Sequence, residues 1–320
     1  MNEIKTSVIV PAYNDHERLT HLLHSFDSLE YEKPYEVIVI DDASPDETPE
    51  TCQNWAKQWH PYEFRYFRLP KNSGPGIARN TGLEMARGDI VAFTDSDCRV
   101  HPHWLSKITS AINIEKKIVG VGGRVKAVSE KSMFARHFLF HRVLEPPQRL
   151  HYLVTCNCAF LKAPLLEVGG FAGDIRNPGG EDISASIHLW KKGWRFAYQE
   201  DAIVYHDFDT NLRAFIKTWY NYGFGCSIVI HRCLNLDEIY PNPEQMPDYE
   251  NYWPGYLMLP PMTGIRSGIR DMKYQWNKCR QEKLSYKNTF EILLLTLFQR
   301  LSHLSGWKEG KKQTQKDNPS

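Results

Sequence analysis

Apolar and polar positions follow two alternating rhythms through the first hundred residues. Short β-branched runs recur: TSVIV (6–10), which Pro11 is expected to stop, YEVIVI (35–40), EFRYFRL (63–69) and DIVAFTD (89–95). The second run has no polar face at its end, as suits a strand buried on both sides of a parallel sheet. Helical patterns stand between the runs. Leu19, Leu22, Leu23 and Phe26 fall at spacings of three and four. Ser44, Pro45 and Glu47 read as a capped helix start. The stretch after KNSGPG (71–76) reads as a helix to Arg87 that Gly88 stops. Such alternation predicts an α/β fold, a doubly wound and mostly parallel sheet flanked by helices. Ligands of these sheets bind beyond the carboxyl ends of the strands. Tyr13, Asp42 and Asp95 all stand at such ends and are expected to line one crevice.

Past residue 115 the rhythm becomes mixed. IVGVGGRVKAV (118–128) and VTCNCAFLK (154–162) are strand-like, and a helix is expected from about Glu181 to Gly193. FAYQEDAIVYH (196–206) predicts one or two short strands ending on His206. The aromatic segment TWYNYGF (218–224) suits either core packing or stacking on the flat face of a ligand ring. Pro241, Pro243, Pro247, Pro254, Pro260 and Pro261 predict a wrapping loop. Phe290, Leu293, Leu294, Leu297, Phe298, Leu301 and Leu304 share one face of a predicted helix. That face would pack on the rest of the chain or lie in a membrane interface. The apolar run FEILLLTLF (290–298) is far shorter than the roughly 18 residues of a membrane span. The domains expected are an α/β part at 1–210, divided near residue 100, a mostly helical extension at 211–310 and a disordered tail at 311–320.

Composition adds little until it is divided. The 320 residues are 42% hydrophobic and 24% charged with net charge +1, so no overall field points to nucleic acid. Residues 266–320, however, carry 12 Lys/Arg against five Asp/Glu, a local +7 that leaves −6 for the rest. A basic end suits a membrane surface or a solvated charged face. Seven cysteines without a CxxC pair, with Cys156 and Cys158 in an apolar run, read as buried thiols of a reducing compartment. The first strand follows the start of the sequence with no leader-like segment, so the expected location is cytoplasmic, peripheral on the inner membrane face.

The candidate chemistry begins at AFTDSDCRV (92–100). Strand alternation would set Asp95 and Asp97 on one face, where like charges raise each other's pKa. A divalent cation removes that conflict, and so does plain surface exposure.

Taken in chain order, six pieces resemble the family-2 glycosyltransferases of the GT-A fold: SVIVPAYN (7–14), VIVIDDASPDET (37–48), KNSGPGIARNTGLEMARGDIVAFTDSD (71–97), CNCAFLKAPLLEVGGF (156–171), GGEDISASIHLWKKGW (179–194) and IVYH (203–206). The resemblance covers about residues 5–210. It implies an inverting transfer from a nucleotide sugar, UDP-linked by preference, to the hydroxyl of a glycan, lipid or peptide acceptor. By the same resemblance, Pro11, Ala12 and Tyr13 floor the base site and Asp42 or its neighbour binds the base. Gly74 and Gly76 let backbone approach the ligand, and Arg79 pairs with phosphate or an acidic neighbour. Asp97 binds Mn²⁺ or Mg²⁺, with Asp95 nearer the ribose or the metal's water shell and His206 as a further metal ligand. Asp182 is the catalytic base, with Glu181 beside it. The cation would act as a Lewis acid on the departing diphosphate. Cysteines in TCNCAF and the Ser and His of ISASIHLW depart from the family pattern around the acceptor, which leaves the acceptor open.

Three rivals fare worse. Gly74-x-Gly76-x-x-Arg79 lacks the third glycine of a dinucleotide fingerprint and follows the third strand. PAYNDHER (11–18) is not the Gly-rich basic loop a nucleotidyltransferase wants. A sugar-nucleotide-binding protein without catalysis would not need both Asp97 and Asp182.

Overall fold

A computed structural model of the chain describes residues 4–146, 152–233 and 265–317. The predicted proline-rich loop lies outside the described residues. In chain order the elements are β1 (Thr6–Ala12), α1 (His16–Phe26), β2 (Tyr35–Asp41), α2 (Thr48–Trp55), β3 (Glu63–Arg68), α3 (Pro75–Met85), β4 (Ile90–Phe93), β5 (Cys98–Val100) and α4 (Trp104–Ser110). There follow β6 (Ile118–Ala127), α5 (Met133–Phe140), β7 (Cys158–Leu161), α6 (Lys162–Glu167), α7 (Glu181–Lys191), β8 (Arg195–His206), α8 (Leu212–Cys233), α9 (Ile265–Gln281) and α10 (Tyr286–Asp317).

Two compact units result. The first comprises residues 1–128 and 144–207, and the second comprises 129–143 and 208–320. The segment with α5 belongs to the second unit.

In the first unit an eight-stranded sheet runs in the order β3-β2-β1-β4-β7-β6-β8-β5. The β3-β2-β1-β4 half is parallel, as the buried apolar runs predict. The other half is mixed, because β7 runs antiparallel to β4 and β6, and β5 runs antiparallel to β8. Pro11 does not stop β1, which continues to Ala12. The Ile9 carbonyl accepts from Thr94 N–H and the Ala12 carbonyl from Asp42 N–H. By alternation the Pro11 nitrogen faces the β4 side, where β4 has already ended, so its missing donor deprives no partner. Residues 19, 22, 23 and 26 of α1 are buried as their spacing predicts.

Two expected helix boundaries shift. Helix α2 starts at Thr48, whose N–H donates to Asp46 Oδ1 (3.2 Å). Ser44 is spent elsewhere, donating its N–H to Asp41 Oδ1 and accepting from Asn14 N–H. Helix α3 closes at Met85, and Gly88 serves a close approach instead: a Cβ there would stand 2.7 Å from the Ser7 nitrogen.

Buried Glu36 closes the amino edge of the sheet. It accepts from Ser7 Oγ (2.7 Å), Arg65 Nη1 (3.0 Å), Arg87 N–H (2.8 Å) and Arg87 Nη2 (2.8 Å). Burial alone would raise its pKa, but the hydrogen bonds from Ser7, Arg87 and Arg65 bring it below the ordinary value. The opposite edge, at the carboxyl ends of the strands, is left for chemistry.

In the second unit α8 and α10 meet backbone to backbone. A Cβ on Gly223 would collide with the His303 carbonyl oxygen, and one on Gly306 with that of Tyr220. The aromatic segment at 218–224 packs here: Trp219 is buried and stacks on Phe138 at 5.7 Å. Residues 311–317, expected as part of a disordered tail, are helical. Polar composition suggested disorder, but buried Thr314 continues the packed face and bonds the Gly310 carbonyl. Among the described residues no helix is long and apolar enough to cross a membrane.

The Glu36 anchor is testable. Glu36→Ala should cost about 2–3 kcal/mol at neutral pH, the scale of hydrogen bonds to a charged group, read from the urea midpoint. Because the native pKa is lowered, this stability is present above the ordinary glutamate value and is lost as pH falls through the lowered one. The gap between wild type and variant should therefore close in acid.

Candidate active site

Strand register gathers the carboxyl ends. Ala12 of β1 lies opposite Asp41 of β2, and Ile9 lies opposite Phe93 of β4. Pro11, Ala12 and Tyr13, then Asp41 and Asp42, then Asp95 thus issue from three adjacent strands. Tyr13 is 49% exposed and takes no part in the core. The alternation expected to align Asp95 and Asp97 does not operate, because β4 ends at Phe93. Asp95, Ser96 and Asp97 form a turn closed by Cys98 N–H donating to the Asp95 carbonyl (3.1 Å).

Pairing then supplies a partner. Cys98 of β5 lies opposite His206 of β8, and Asp207 N–H donates to the Asp97 carbonyl (2.8 Å). His206 Nε2 consequently stands 3.5 Å from Asp97 Oδ1. Ligand-capable atoms of Asp97, Cys98 and His206 all lie within 4.8 Å of one another. Burial raises the Asp97 pKa and Asp95 adds to the rise, whereas His206 and Arg18 draw it down. A carboxylate oxygen and an imidazole suit a cation of the Mn²⁺ kind, and a cation would offset the burial cost of Asp97. The Cys98 thiol is pushed far up by burial and stays neutral, which makes it a poor ligand for a hard cation. Asp95 is not part of this cluster; its Oδ1 accepts from Arg79.

Sequence reasoning passed over Arg18 and Asp15. Arg18 Nη1 lies 3.9 Å from Asp97 Oδ2 and donates to the Asp207 carbonyl (3.3 Å). Arg18 Nε donates to Asp15 Oδ1 (2.6 Å), and Ser96 Oγ donates to Asp15 Oδ2 (2.8 Å). The available signal was the acid and base three residues apart at the start of α1.

Both members of the Asp41-Asp42 pair are buried and already bonded. Asp41 accepts from Ser44 N–H, Tyr66 OH and Arg68 Nη1. Asp42 accepts from Ser73 N–H (2.7 Å) and Gly74 N–H (2.8 Å), so it holds the 71–76 loop in place. Burial nonetheless leaves the Asp42 pKa raised. The glycines of that loop approach protein and not an open face. Gly74, at φ +93°, would set a Cβ 2.5 Å from the Arg176 carbonyl oxygen, and Gly76 would set one 2.6 Å from that of Ala172.

Arg79 ties the two halves of the site together. It is buried on α3, donating Nη2 to Asp95 Oδ1 (2.7 Å) and Nη1 to Glu181 Oε1 (2.8 Å). Of the two expected partners, the acidic neighbour is therefore present, and twice. Glu181 Oε2 accepts from Gly179 N–H (2.8 Å). Gly179 and Gly180 have φ of 119° and 103°, a left-handed turn that delivers Glu181 and Asp182 as the first residues of α7. Asp182 Oδ1 accepts from Ile183 N–H (2.8 Å) and Oδ2 from Thr155 N–H (3.3 Å). Its pKa is raised to about 7, chiefly by burial and then by Glu181, against the pull of Arg79 and the two N–H groups.

Thr155 belongs to a 3₁₀ turn (Thr155–Asn157) where the apolar pattern predicted strand. The Asn157 amide replaces the missing ladder, donating to the Arg124 and Ala202 carbonyls and accepting from Trp104 Nε1. Cys156 and Cys158 are buried, as expected.

Residues 7–169 match the family described as glycosyl transferase family 2, and residues 90–278 the glycosyl transferase family group 2. The chain is 37% identical over 205 residues to glycosyltransferase AglE of Haloferax volcanii, which spans 62% of this chain and 66% of AglE, a little under two thirds of that protein. Among solved structures it is similar to the mannosyltransferase PcManGT of Pyrobaculum calidifontis in complex with GDP-Man and Mn²⁺, with a TM-score of 0.58 and 16% identity over 95% of this chain and 88% of that one. It is also similar to S. aureus TarS 1-349 in complex with UDP, with a TM-score of 0.53 and 17% identity over 98% of this chain and 92% of that one. These likenesses bear on the fold, which is the GT-A arrangement of a mixed, mostly parallel sheet.

The Arg79 bridge can be broken directly. Arg79→Met leaves Asp95 and Glu181 without their shared cation and should cost about 3–5 kcal/mol in urea unfolding. Arg79→Lys keeps the charge without the fork and should recover only part of that loss.

Proposed function

The chain belongs to glycosyl transferase family 2, and on that premise we propose that it transfers a sugar from a nucleotide-sugar donor, a UDP-sugar first, to an acceptor hydroxyl with inversion at the anomeric carbon. The observation that carries this reading is the continuous chain of contacts from Asp95 through Arg79 to Glu181 and its neighbour Asp182, with Asp97 and His206 beside Asp95. It joins a candidate cation site to a carboxylate poised near neutrality. The GDP-Man and Mn²⁺ of PcManGT and the UDP of TarS support a donor and a cation of the same chemistry here.

Asp97 and His206 would hold Mn²⁺ or Mg²⁺, which when bound supplies positive charge to the diphosphate as it departs. Tyr13, with Pro11 and Ala12, offers an exposed ring for the base to rest on. Asp42 acts through the loop that it holds at the nucleotide's edge. Asp95, fixed by Arg79, faces the ribose. Asp182 accepts the proton of the attacking hydroxyl, and a native pKa of about 7 fits a base that must be ionised yet basic at neutral pH. Arg79 keeps that value from rising further. None of the seven cysteines is in a disulfide, which supports a reducing, cytosolic setting.

EDTA should abolish release of nucleoside diphosphate from the donor, and Mn²⁺ or Mg²⁺ should restore it. Asp97→Asn should lose at least about a hundredfold in rate, the scale for one electrostatic stabiliser, and bind donor more weakly. Full turnover in a metal-free preparation would end this account of Asp97. Donor binding without turnover would make the chain a sugar-nucleotide-binding protein instead.

Asp182→Asn should lower kcat by about 10²–10⁴ with donor binding nearly unchanged. In the wild type the rate should fall as pH drops below about 7, where Asp182 takes up its proton. Folding carries the opposite sign. Because the native pKa of Asp182 is raised, its contribution is fully present below the ordinary value of 3.8 and is lost as pH rises through about 7. Retention of anomeric configuration, or an Asp182→Asn enzyme close to wild type, refutes the assignment.

A further inference from the structure

Helix α10 presents its apolar residues outward. Phe290, Leu294, Leu297 and Leu301 are 66%, 37%, 49% and 59% exposed. At spacings of four, three and four they form one stripe about 16 Å long. The face turned inward mixes Ile292, Leu295 and Trp307 with Thr289, Thr296, Gln299, Ser302, His303 and Thr314, all of them buried. The Thr296 hydroxyl meets His141 Nε2 at 3.3 Å and His137 Nε2 at 3.4 Å, and burial lowers the His137 pKa to about 3, which keeps that ring neutral. Gly306 and Gly310 bring α10 against the backbone of α8, where no leucine would fit. A helix shaped by water alone would not turn four large apolar side chains outward while burying threonine, glutamine and serine.

Charge brackets the stripe. Lys287 stands one turn before it, and Lys308 and Lys312 continue its line afterwards, all three exposed. The exposed positions of α10 from Tyr286 to Lys308 include no carboxylate, and the next one, exposed Glu309, lies 3.4 Å from Lys312 and is outnumbered by Lys308, Lys311 and Lys312 around it. Glu291 is drawn aside by an ion pair with Arg136. At the start of the helix Arg280 lies over the Tyr286 ring at 5.2 Å, an amphipathic pair suited to a polar–apolar boundary.

Two candidate occupants can be told apart by that charge. A second copy laid along the stripe would bring lysines against lysines in either orientation. An anionic bilayer accepts both the leucines and the lysines. We propose that α10 is a docking helix that lies along the surface of an anionic lipid bilayer, sinking Phe290, Leu294, Leu297 and Leu301 among the upper acyl chains while Lys287, Lys308 and Lys312 meet headgroup phosphates. The helix lies on the bilayer and does not cross it. Docking of this kind is independent of the sugar-transfer reading.

The test uses the full chain and vesicles of phosphatidylcholine with or without phosphatidylglycerol, read by co-sedimentation. The chain should partition onto the phosphatidylglycerol vesicles, less so as salt is raised. The variant Leu294→Ser, Leu297→Ser, Leu301→Ser should lose at least about tenfold in partition while still unfolding cooperatively, its thermal midpoint lowered only by the poorer helix propensity and lost partial burial of the three positions. Leu297→Gln alone should fall between the two. Lys308→Glu with Lys312→Glu should abolish the preference for the anionic vesicles. Equal partition of wild type and both leucine variants overturns the proposal. So does a wild type that stays in solution, or a self-associating chain that the serine substitutions make monomeric without any vesicle binding.

Discussion

The site depends on one guanidinium withdrawn from water. Arg79 sits between Asp95, which issues from the parallel half of the sheet, and Glu181, which opens α7. Removing the cation would leave buried Glu181 and half-buried Asp95 without the charge that holds them together, which strains both the turn after β4 and the start of α7. The arrangement also sets the chemistry of a third carboxyl group. Asp182 is pushed up by burial and by Glu181 and drawn back by Arg79, and the balance leaves it near neutrality.

Much of this was legible in the sequence where the information is local. The strands of the parallel half announce themselves through unbroken β-branched runs, and α7 through Gly179-Gly180 followed by two acids. What was not legible depends on pairing across long separations. Nothing near Asp97 reveals that β5 will run antiparallel to β8 and bring His206 to it. Nothing in Asp41-Asp42 reveals that both carboxylates will be spent on backbone and neighbouring side chains. Ser44 looks like a cap because its local sequence fits one, yet Asp41 and Asn14 claim it first.

Helix α10 shows a different limit. A seven-residue apolar face reads as the inward side only if water lies outside and a core of ordinary depth lies within. Here α8 comes so close at Gly223 and Gly306 that neither position has room for a side chain, and the larger inward residues are confined to the gaps beside those crossings, where Trp219 meets His303. Periodicity found the helix, and it could not report which face the neighbour would claim.

The hold of Asp42 on the 71–76 loop has a consequence for how anything enters the site. Lifting that loop would strip two N–H donors from a buried carboxylate, at about 1.5–3 kcal/mol for each bond. Gly74 and Gly76 are also wedged against the Arg176 and Ala172 carbonyls, so the loop is braced from behind. It therefore behaves as a fixed jamb and not as a door. The motions that admit a ligand and release a product must belong to other segments, and stiffening residues 71–76 further should leave the speed of entry untouched.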